Sequence, residues 1–438
     1  MGGATLQGRT ASSHPFAAST LALVLAGGNG TRLGALTRWE CKPALPFGGK
    51  FRNIDFSLSN CVHSGIRRVA VLTQYKSQSL IQHLQQAWSF LPRCVGEFVE
   101  LWPAQQRLQP DWYSGTADAV YQNLDMIRAQ NPRLVVVLGG DHVYRMDYRR
   151  LLSHHVRCGA DVTISCVRIP KAEAGSFGVL STGANDRASG FIEKPHPARL
   201  HGHGEHVLAS MGVYVFNAEC LYEWLVSDAA SAASTHDFGR DILPAAVDRG
   251  SVGVFEFADP ATGSPAFWRD VGTLDSYWGT HMELLKGEQL TNLFDADWPI
   301  FTDNRQLPPT RILANGRATR IADALVSDGC VVRNATVVSS VLGPCVEIGS
   351  DSILRQCVVL PDCRIGARCR LQRAILEGGC DVPDGSIIGE DPLLDAERFE
   401  MSPGGVVLVT RDRLARNHAE ARAPRRLSTP ALHATQPE

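Results

Sequence analysis

The densest chemistry lies in Leu25 to Leu33, LAGGNGTRL, where an apolar run opens into a glycine-rich turn. Glycines such as Gly27 and Gly28 let backbone N–H groups close on a phosphate, and Arg32 adds a fork of charged donors. Lys42 follows as a second cation, and two cations beside one such turn suit a triphosphate. The pattern is neither a Walker A loop, which needs Gly-Lys-Ser/Thr, nor the GxGxxG spacing. Asp141 follows a second apolar run, Leu134 to Leu138, through Gly139-Gly140; an isolated Asp there commonly serves a turn or a cap. Glu193-Lys194 is an adjacent ion pair, which on a surface contributes little. His201, His203 and His206 (HGHGEH) lack a carboxylate or cysteine framework at metal-ligand spacing and read as a solvated loop.

These groups need elements to hold them. Leu21 to Leu25, Arg68 to Thr73 and Leu134 to Leu138 are short runs apolar on both sides, with a helix expected around Ser57 to Ser64. Such runs suit parallel strands covered by helices on both faces. Their alternation predicts an α/β, Rossmann-like, doubly wound domain over residues 20–298, with ligands beyond the carboxyl ends of the strands. Leu307-Pro308-Pro309 reads as a connector, placed at 299–320. From Leu325 apolar residues recur every six, at Leu325, Val331, Val337, then Ile365, Leu371, then Val382 and Ile388. That period predicts a left-handed parallel β-helix over 321–411, although it slips between Val341 and Ile353. Cys357, Cys363 and Cys369 keep the spacing and are expected to point inward as small hydrophobes. Residues 1–19 and 412–438 read as loose ends, the latter beginning with a short helix.

The chain has 438 residues, 44% hydrophobic and 20% charged, with a net charge of −2. Balanced charge provides no field for nucleic acid or an anionic membrane, so any phosphate site must be local. No apolar run approaches the roughly 20 residues of a membrane helix, and the first twenty residues lack a signal-peptide core. The 12 cysteines are scattered without a CxxC pair, which fits reduced thiols in a cytoplasmic protein.

Taken in order, several segments carry a resemblance. LAGGNGTRL, KPALPFGGKFRNIDFSLSN (Lys42 to Asn60), SGIRRVAVLTQY, PAQQR, WYSGTADAV, GGDHVY, SFGV, FIEKP, LASMGVYVF and WRDVGT resemble the sugar-1-phosphate nucleotidyltransferases. The extended match is closest to the bacterial glucose-1-phosphate adenylyltransferases, or ADP-glucose pyrophosphorylases, from about residue 20 to Arg411. The resemblance implies a GT-A-like catalytic domain joined to the β-helix, converting ATP and glucose 1-phosphate into ADP-glucose and diphosphate for glycogen synthesis. It implies Mg²⁺ on Asp141 and Asp270, and catalytic duty for Asp141, Arg32 and Lys42. Magnesium favours a few carboxylates with phosphate oxygens and water, which suits Asp141 just past a strand. Glu193 and Lys194 would clamp glucose 1-phosphate, with Tyr113, Gly178 and Ser210 completing the sugar pocket. Gln105, beside Gln106, would pair with the adenine edge. Gly115 and Thr116, before an expected helix, would join Gly27, Gly28, Arg32 and Lys42 on the nucleotide.

The same family is typically a homotetramer controlled by anionic metabolites. Basic residues that hold a sugar bisphosphate in the enteric type correspond here to Trp39 and Glu40, a histidine to Pro46, and two further basic positions to Ala129 and Gly378. Arg52, Arg411 and Arg413 remain for an anionic effector, so an altered effector response is expected. Another sugar-nucleotide specificity, or a noncatalytic regulatory subunit, are the alternatives; an acyltransferase is disfavoured because no suitable histidine lies between Leu325 and Ile388.

Overall fold

The computed structural model describes residues 15–28, 30–105, 112–183, 186–200, 204–260, 262–286, 295–314 and 318–422, with only the backbone of 418–422. The chain divides into two compact units, one running to Pro308 and taking in Leu325–Ser327, the other comprising the rest from Pro309 onward.

In the first unit, β1 (Thr20–Leu25), β2 (Arg68–Thr73), β3 (Phe98–Pro103) and β4 (Leu134–Gly139) form a parallel block in the order β4-β1-β2-β3. Alternate side chains of β1 enter opposite cores. Ala22 and Val24 pack with Ile54 and Leu58 of α1 (Asn53–His63), whereas Leu21 and Leu23 pack with Ala117 and Val120 of α2 (Thr116–Tyr121). Both faces are therefore covered, which explains why these strands are continuously apolar. The helix expected from Ser57 begins four residues earlier, at Asn53, capped by the Arg52–Asp55 pairing.

The sheet then departs from a parallel Rossmann arrangement. After β5 (His142–Tyr144) and β6 (Val162–Pro170) come β7 (Gly178–Thr182), β8 (Ala188–Glu193) and the 12-residue β9 (His206–Asn217). β9 runs antiparallel to β4, β6 and β7, and β8 antiparallel to β7. β10 (Val252–Glu256) closes the far edge parallel to β6. β11 (Trp268–Asp270) pairs antiparallel with β5 outside the main sheet, placing Asp270 opposite His142, and leads into α3 (Leu274–Leu284). The result is a nine-stranded mixed sheet, parallel where the glycine-rich turns leave it and antiparallel on the other side.

The second unit is the β-helix: three parallel sheets built from short strands of successive coils. Register explains the slipping period. Glu347 lies opposite Arg364 and Arg364 opposite Asp381, while Ile353 faces Arg370 and Arg370 faces Ile387. Each of these coils thus advances by 17 residues, one short of three hexads, whereas Arg320 to Thr336 and Val331 to Glu347 advance by 16. Coiling starts earlier than the hexads indicate: Arg311–Leu313, inside the expected connector, pairs with Val331–Arg333. Cys357, Cys363 and Cys369 are fully buried, as are Cys330 and Cys380. Val407–Val409 returns to pair with Ala374–Leu376, and a helix follows over Arg411–Arg422.

Among the described residues no helix is long and apolar enough to cross a membrane.

Candidate active site

Three parallel strands end at one cavity of about 720 Å³. β1 delivers Gly27 and Gly28, β2 delivers Gln74, and β4 delivers Gly139 and Asp141, so the polar groups converge beyond the carboxyl edge of the parallel block. Arg32 and Lys42 line the same cavity, with Tyr113, Gly115, Thr116, Gly178, Glu193, Lys194, Ser210 and Asp270.

The centre is an ionic cluster. Lys42 Nζ lies 2.7 Å from Asp141 Oδ2 and 2.5 Å from Asp270 Oδ1. The Lys42 side chain is only 7% exposed, and its backbone carbonyl accepts from Asn53 Nδ2 at 2.9 Å, fixing the lysine to the start of α1. Burial alone would lower the Lys42 pKa, but the two carboxylates outweigh it and raise the value above that of an ordinary lysine. Burial likewise pushes the Asp141 carboxyl up, yet the Lys42 ammonium, with His142, holds it well below the usual carboxylate range. Arg32 Nη2 stands 3.8 Å from Asp270 Oδ2, and its side chain remains 57% exposed. Gly272 completes this corner, because a Cβ there would fall 2.9 Å from Asp270 Oδ1 and 3.0 Å from Arg32 Nη2.

Asp141, His142 and Asp270 bring one donor atom each within 4.8 Å of the others. Two carboxylates facing an open cavity, next to Arg32 and Lys42, suit a hard ion such as Mg²⁺ that keeps other ligand positions for oxygens and water. Lys42 supplies the countercharge between them.

On the other wall, Glu193 ends β8 directly opposite Gly178 at the start of β7. Its carboxylate is cradled by glycines: a Cβ on Gly178 would lie 2.8 Å, and one on Gly239 2.7 Å, from Glu193 Oε2. Lys194 adopts a left-handed backbone (φ 47°), and its Nζ sits 3.2 Å from Glu193 Oε1. Adjacent side chains of a regular strand point to opposite faces, so this conformation brings both charges to one cavity. Ser210 lies at a bulge of β9 that re-forms at Val213; its Oγ accepts from Gly212 N and is 3.3 Å from Tyr214 Oη. Tyr113 is buried, and its hydroxyl accepts from Asn123 Nδ2 at 2.9 Å.

Some expected nucleotide contacts are engaged elsewhere. The α2 N–H groups of Ala117 and Asp118 donate to the His236 carbonyl oxygen. The Thr116 hydroxyl donates to Asp237 Oδ2 and accepts from Phe238 N. Gly115 permits this close packing, since a Cβ there would strike the backbone of residues 235–236. Gly115 and Thr116 thus tie two segments together, and the N–H groups of Ala117 and Asp118 are not left for phosphate. Gln105 is exposed beyond the end of β3 and lies outside the cavity lining; Gln106 falls outside the described residues. Among the candidate effector arginines, the Arg52 guanidinium donates to the Ala44 carbonyl oxygen and stands 3.9 Å from Glu40. Arg411 lies 3.7 Å from Glu377, and Arg413 is exposed. His206 is exposed at the start of β9, whereas His201 and His203 lie outside the described residues.

Among the cavity residues that sequence reading missed are Gln74, His142, Asp237 and Gly239. Gln74 bridges both walls, donating to the Gly27 carbonyl oxygen at 3.3 Å and accepting from Tyr113 N at 2.9 Å. Asp237 and Gly239 enter from the capped start of a helical turn, Phe238–Ile242, far along the chain, and His142 follows Asp141 directly. His142 and Gln74 carried local signals, through their places in GGDHVY and SGIRRVAVLTQY.

Residues 21–287 match the family described as Nucleotidyl transferase, and residues 308–409 the family described as GlmU-like, C-terminal hexapeptide. A glucose-1-phosphate adenylyltransferase of Nitrosococcus oceani is 49% identical over 403 residues, covering 91% of this chain and 95% of that protein. Those of Thiobacillus denitrificans and Rhodospirillum rubrum are 51% and 48% identical, covering 91% and 90% of this chain and 91% and 96% of those proteins. With the mixed α/β domain, the β-helix and the converging cations and carboxylates, this likeness shows that the chain belongs to the glucose-1-phosphate adenylyltransferase family of nucleotidyl transferases.

Proposed function

We propose that this chain transfers the adenylyl group of ATP to glucose 1-phosphate, making ADP-glucose for glycogen synthesis and releasing diphosphate. The observation that carries the reading is the gathering of these groups around one cavity: the glycine turn, Arg32, Lys42 between Asp141 and Asp270, and Glu193 with Lys194. A triphosphate, a reacting phosphorus and a sugar phosphate together call for such a set.

In the reaction a phosphate oxygen of glucose 1-phosphate bonds to the α-phosphorus as the bond to the β-phosphate bridging oxygen breaks. Such transfers depend on alignment and charge stabilisation more than on proton transfer. Arg32 and Lys42 would hold the nucleotide phosphates and offset the charge that grows on the leaving diphosphate. Lys194 would pair with the sugar phosphate, while Glu193 would accept from sugar hydroxyls and Tyr113 and Ser210 line the sugar pocket. Asp141 and Asp270 would hold Mg²⁺, which supplies positive charge to the phosphates when bound. A homotetrameric cytoplasmic enzyme answering to an anionic metabolite is part of the same proposal.

The test is a matrix of nucleoside triphosphates against sugar 1-phosphates with the full chain and Mg²⁺, read as diphosphate release. ATP with glucose 1-phosphate should exceed every other pair by at least about tenfold. Preference for another pair would reassign the specificity, and no turnover with any pair would favour a noncatalytic subunit.

A further inference from the structure

We infer that one buried face of α1 is a positioning template for the reaction, spacing Lys42, Asp141 and Asp270 through the side chains of Asn53, Ser57 and Asn60. The inference rests on the proposed roles of those three charged residues.

Asn53, Ser57, Asn60 and Ser64 recur at the spacing of a single helix face, from the first residue of α1 to its C-cap. All four are fully buried although they are polar. A face that served packing alone would be apolar, since a polar group leaves water at a cost unless a partner receives it. Asn53 Nδ2 donates to the Lys42 carbonyl oxygen at 2.9 Å, and Asn53 N to the Leu45 carbonyl oxygen at 3.1 Å, so the Lys42–Ala44 turn is held at both ends. One turn along the helix, Ser57 Oγ donates to the Gly139 carbonyl oxygen at 2.9 Å. Gly139-Gly140 leads directly into Asp141 and lies against the helix: a Cβ on Gly140 would be 3.7 Å from Ile54 Cγ1. A turn further, Asn60 Nδ2 donates to the Tyr144 carbonyl oxygen at 3.2 Å, and Asn60 Oδ1 accepts from Met146 N at 3.1 Å. These bonds fix the end of β5, whose partner β11 carries Asp270 opposite His142.

Lys42 sits in a turn, Asp141 past the end of β4, and Asp270 on a two-stranded ribbon, so the ladders of the main sheet do not fix their mutual distances. A single helix that binds the backbone of all three segments does, because a helix holds its own side chains at set intervals more rigidly than loops can. The last member of the face marks where that duty ends. Ser64 Oγ accepts from Tyr148 N at 2.8 Å, at the start of the following helix Tyr148–Cys158, and neither residue lines the cavity.

The test compares Ser57→Ala and Asn53→Ala with Ser64→Ala in the full-length protein, each removing side-chain hydrogen bonding from the same buried face. All three should lower the melting temperature by a similar few degrees. Only Ser57→Ala and Asn53→Ala should also lower kcat, by at least about tenfold, with the KM for glucose 1-phosphate within about twofold of wild type. Crystal structures of the variants without substrate should show the Asp141 Cα displaced from its wild-type place relative to α1 by at least about 0.5 Å in Ser57→Ala, and the Lys42 Cα likewise in Asn53→Ala. Asn53→Ala carries the comparison if Ser57→Ala fails to fold. An equal loss of kcat in Ser64→Ala would overturn the inference, because the face would then serve stability alone. So would unmoved Cα positions in both Ser57→Ala and Asn53→Ala. Displacement with kcat unchanged would instead overturn the reading of Lys42 and Asp141 as groups of the reaction, on which the template rests.

Discussion

Gly239 shows how one hydrogen atom in place of a methyl group shapes the sugar side of the cavity. A Cβ there would lie 2.7 Å from Glu193 Oε2, with Asp237 Oδ1 next at 3.4 Å, so an alanine would press almost entirely on the Glu193 carboxylate. Gly239→Ala should therefore raise the KM for glucose 1-phosphate about tenfold, roughly one lost hydrogen bond to a charged acceptor, with the melting temperature nearly unchanged. An unchanged KM would detach Glu193 from the sugar. Lys194→Ala removes the charge proposed to meet the same substrate. It should raise that KM by about 10- to 100-fold while kcat changes only a few-fold, because a ground-state phosphate contact is lost. Asp141→Ala should behave differently: kcat falls by at least about 100-fold while ATP still protects the chain in a thermal-shift assay. If Asp141→Ala changed only KM, Asp141 would be a binding residue.

Elements explain which of these residues could be found in advance. Gly27, Arg32, Lys42 and Asp141 stand within a few residues of the strand or helix that holds them, and a strand-to-turn pattern reveals them. Asp237 and Gly239 reach the cavity through Thr116, whose hydroxyl binds Asp237 from 121 residues away, and no local pattern encodes such a contact. Strand direction was equally hidden: β9 looks like any buried strand, and its antiparallel course is set by the partners it meets. The β-helix was legible because its contacts repeat, although a 17-residue coil blurs a six-residue period.

Element packing also makes an acid-sensitive joint. His281 in α3 receives a hydrogen bond from Gly48 N on Nε2 at 3.1 Å, while its Nδ1 faces the Tyr277 carbonyl oxygen at 2.8 Å. This arrangement needs the neutral ring. Burial lowers its pKa to about 4, against the weaker upward pull of Tyr277; burial also lowers His155 to about 4. An unfolded chain takes up these protons near pH 6.5, before the folded one does. The associated stability is therefore whole above about pH 6.5 and is lost as pH falls toward 4, at about 1.4 kcal/mol per unit for each ring. Thermal midpoints should drop between pH 7 and pH 5, and less steeply for His155→Asn. Parallel slopes for the variant and wild type would remove His155 from the account.

At the scale of the whole molecule, the net charge of −2 conceals local pairing. Cations of the cavity are paired with carboxylates, and the Arg52 position expected to hold an effector carries its own opposing charge. Glu40 approaches the Arg52 guanidinium to 3.9 Å, and Trp39 beside it is 65% exposed with Arg38 over its ring at 5.1 Å. A sugar bisphosphate arriving there would meet Glu40 repulsion before Arg52 attraction, and near a protein surface one unit charge at about 4 Å is worth about 4 kcal/mol before screening. Fructose 1,6-bisphosphate should accordingly stimulate the enzyme less than about twofold, whereas Glu40→Lys, which reverses that charge, should sharpen its response at low salt and less at high salt. Fructose 6-phosphate, pyruvate and AMP, assayed alongside, would reveal a redirected effector preference. Strong, saturable activation of the wild-type chain by the bisphosphate would show that Arg411, Arg413 or another cation holds the effector instead, and that Glu40 does not govern it.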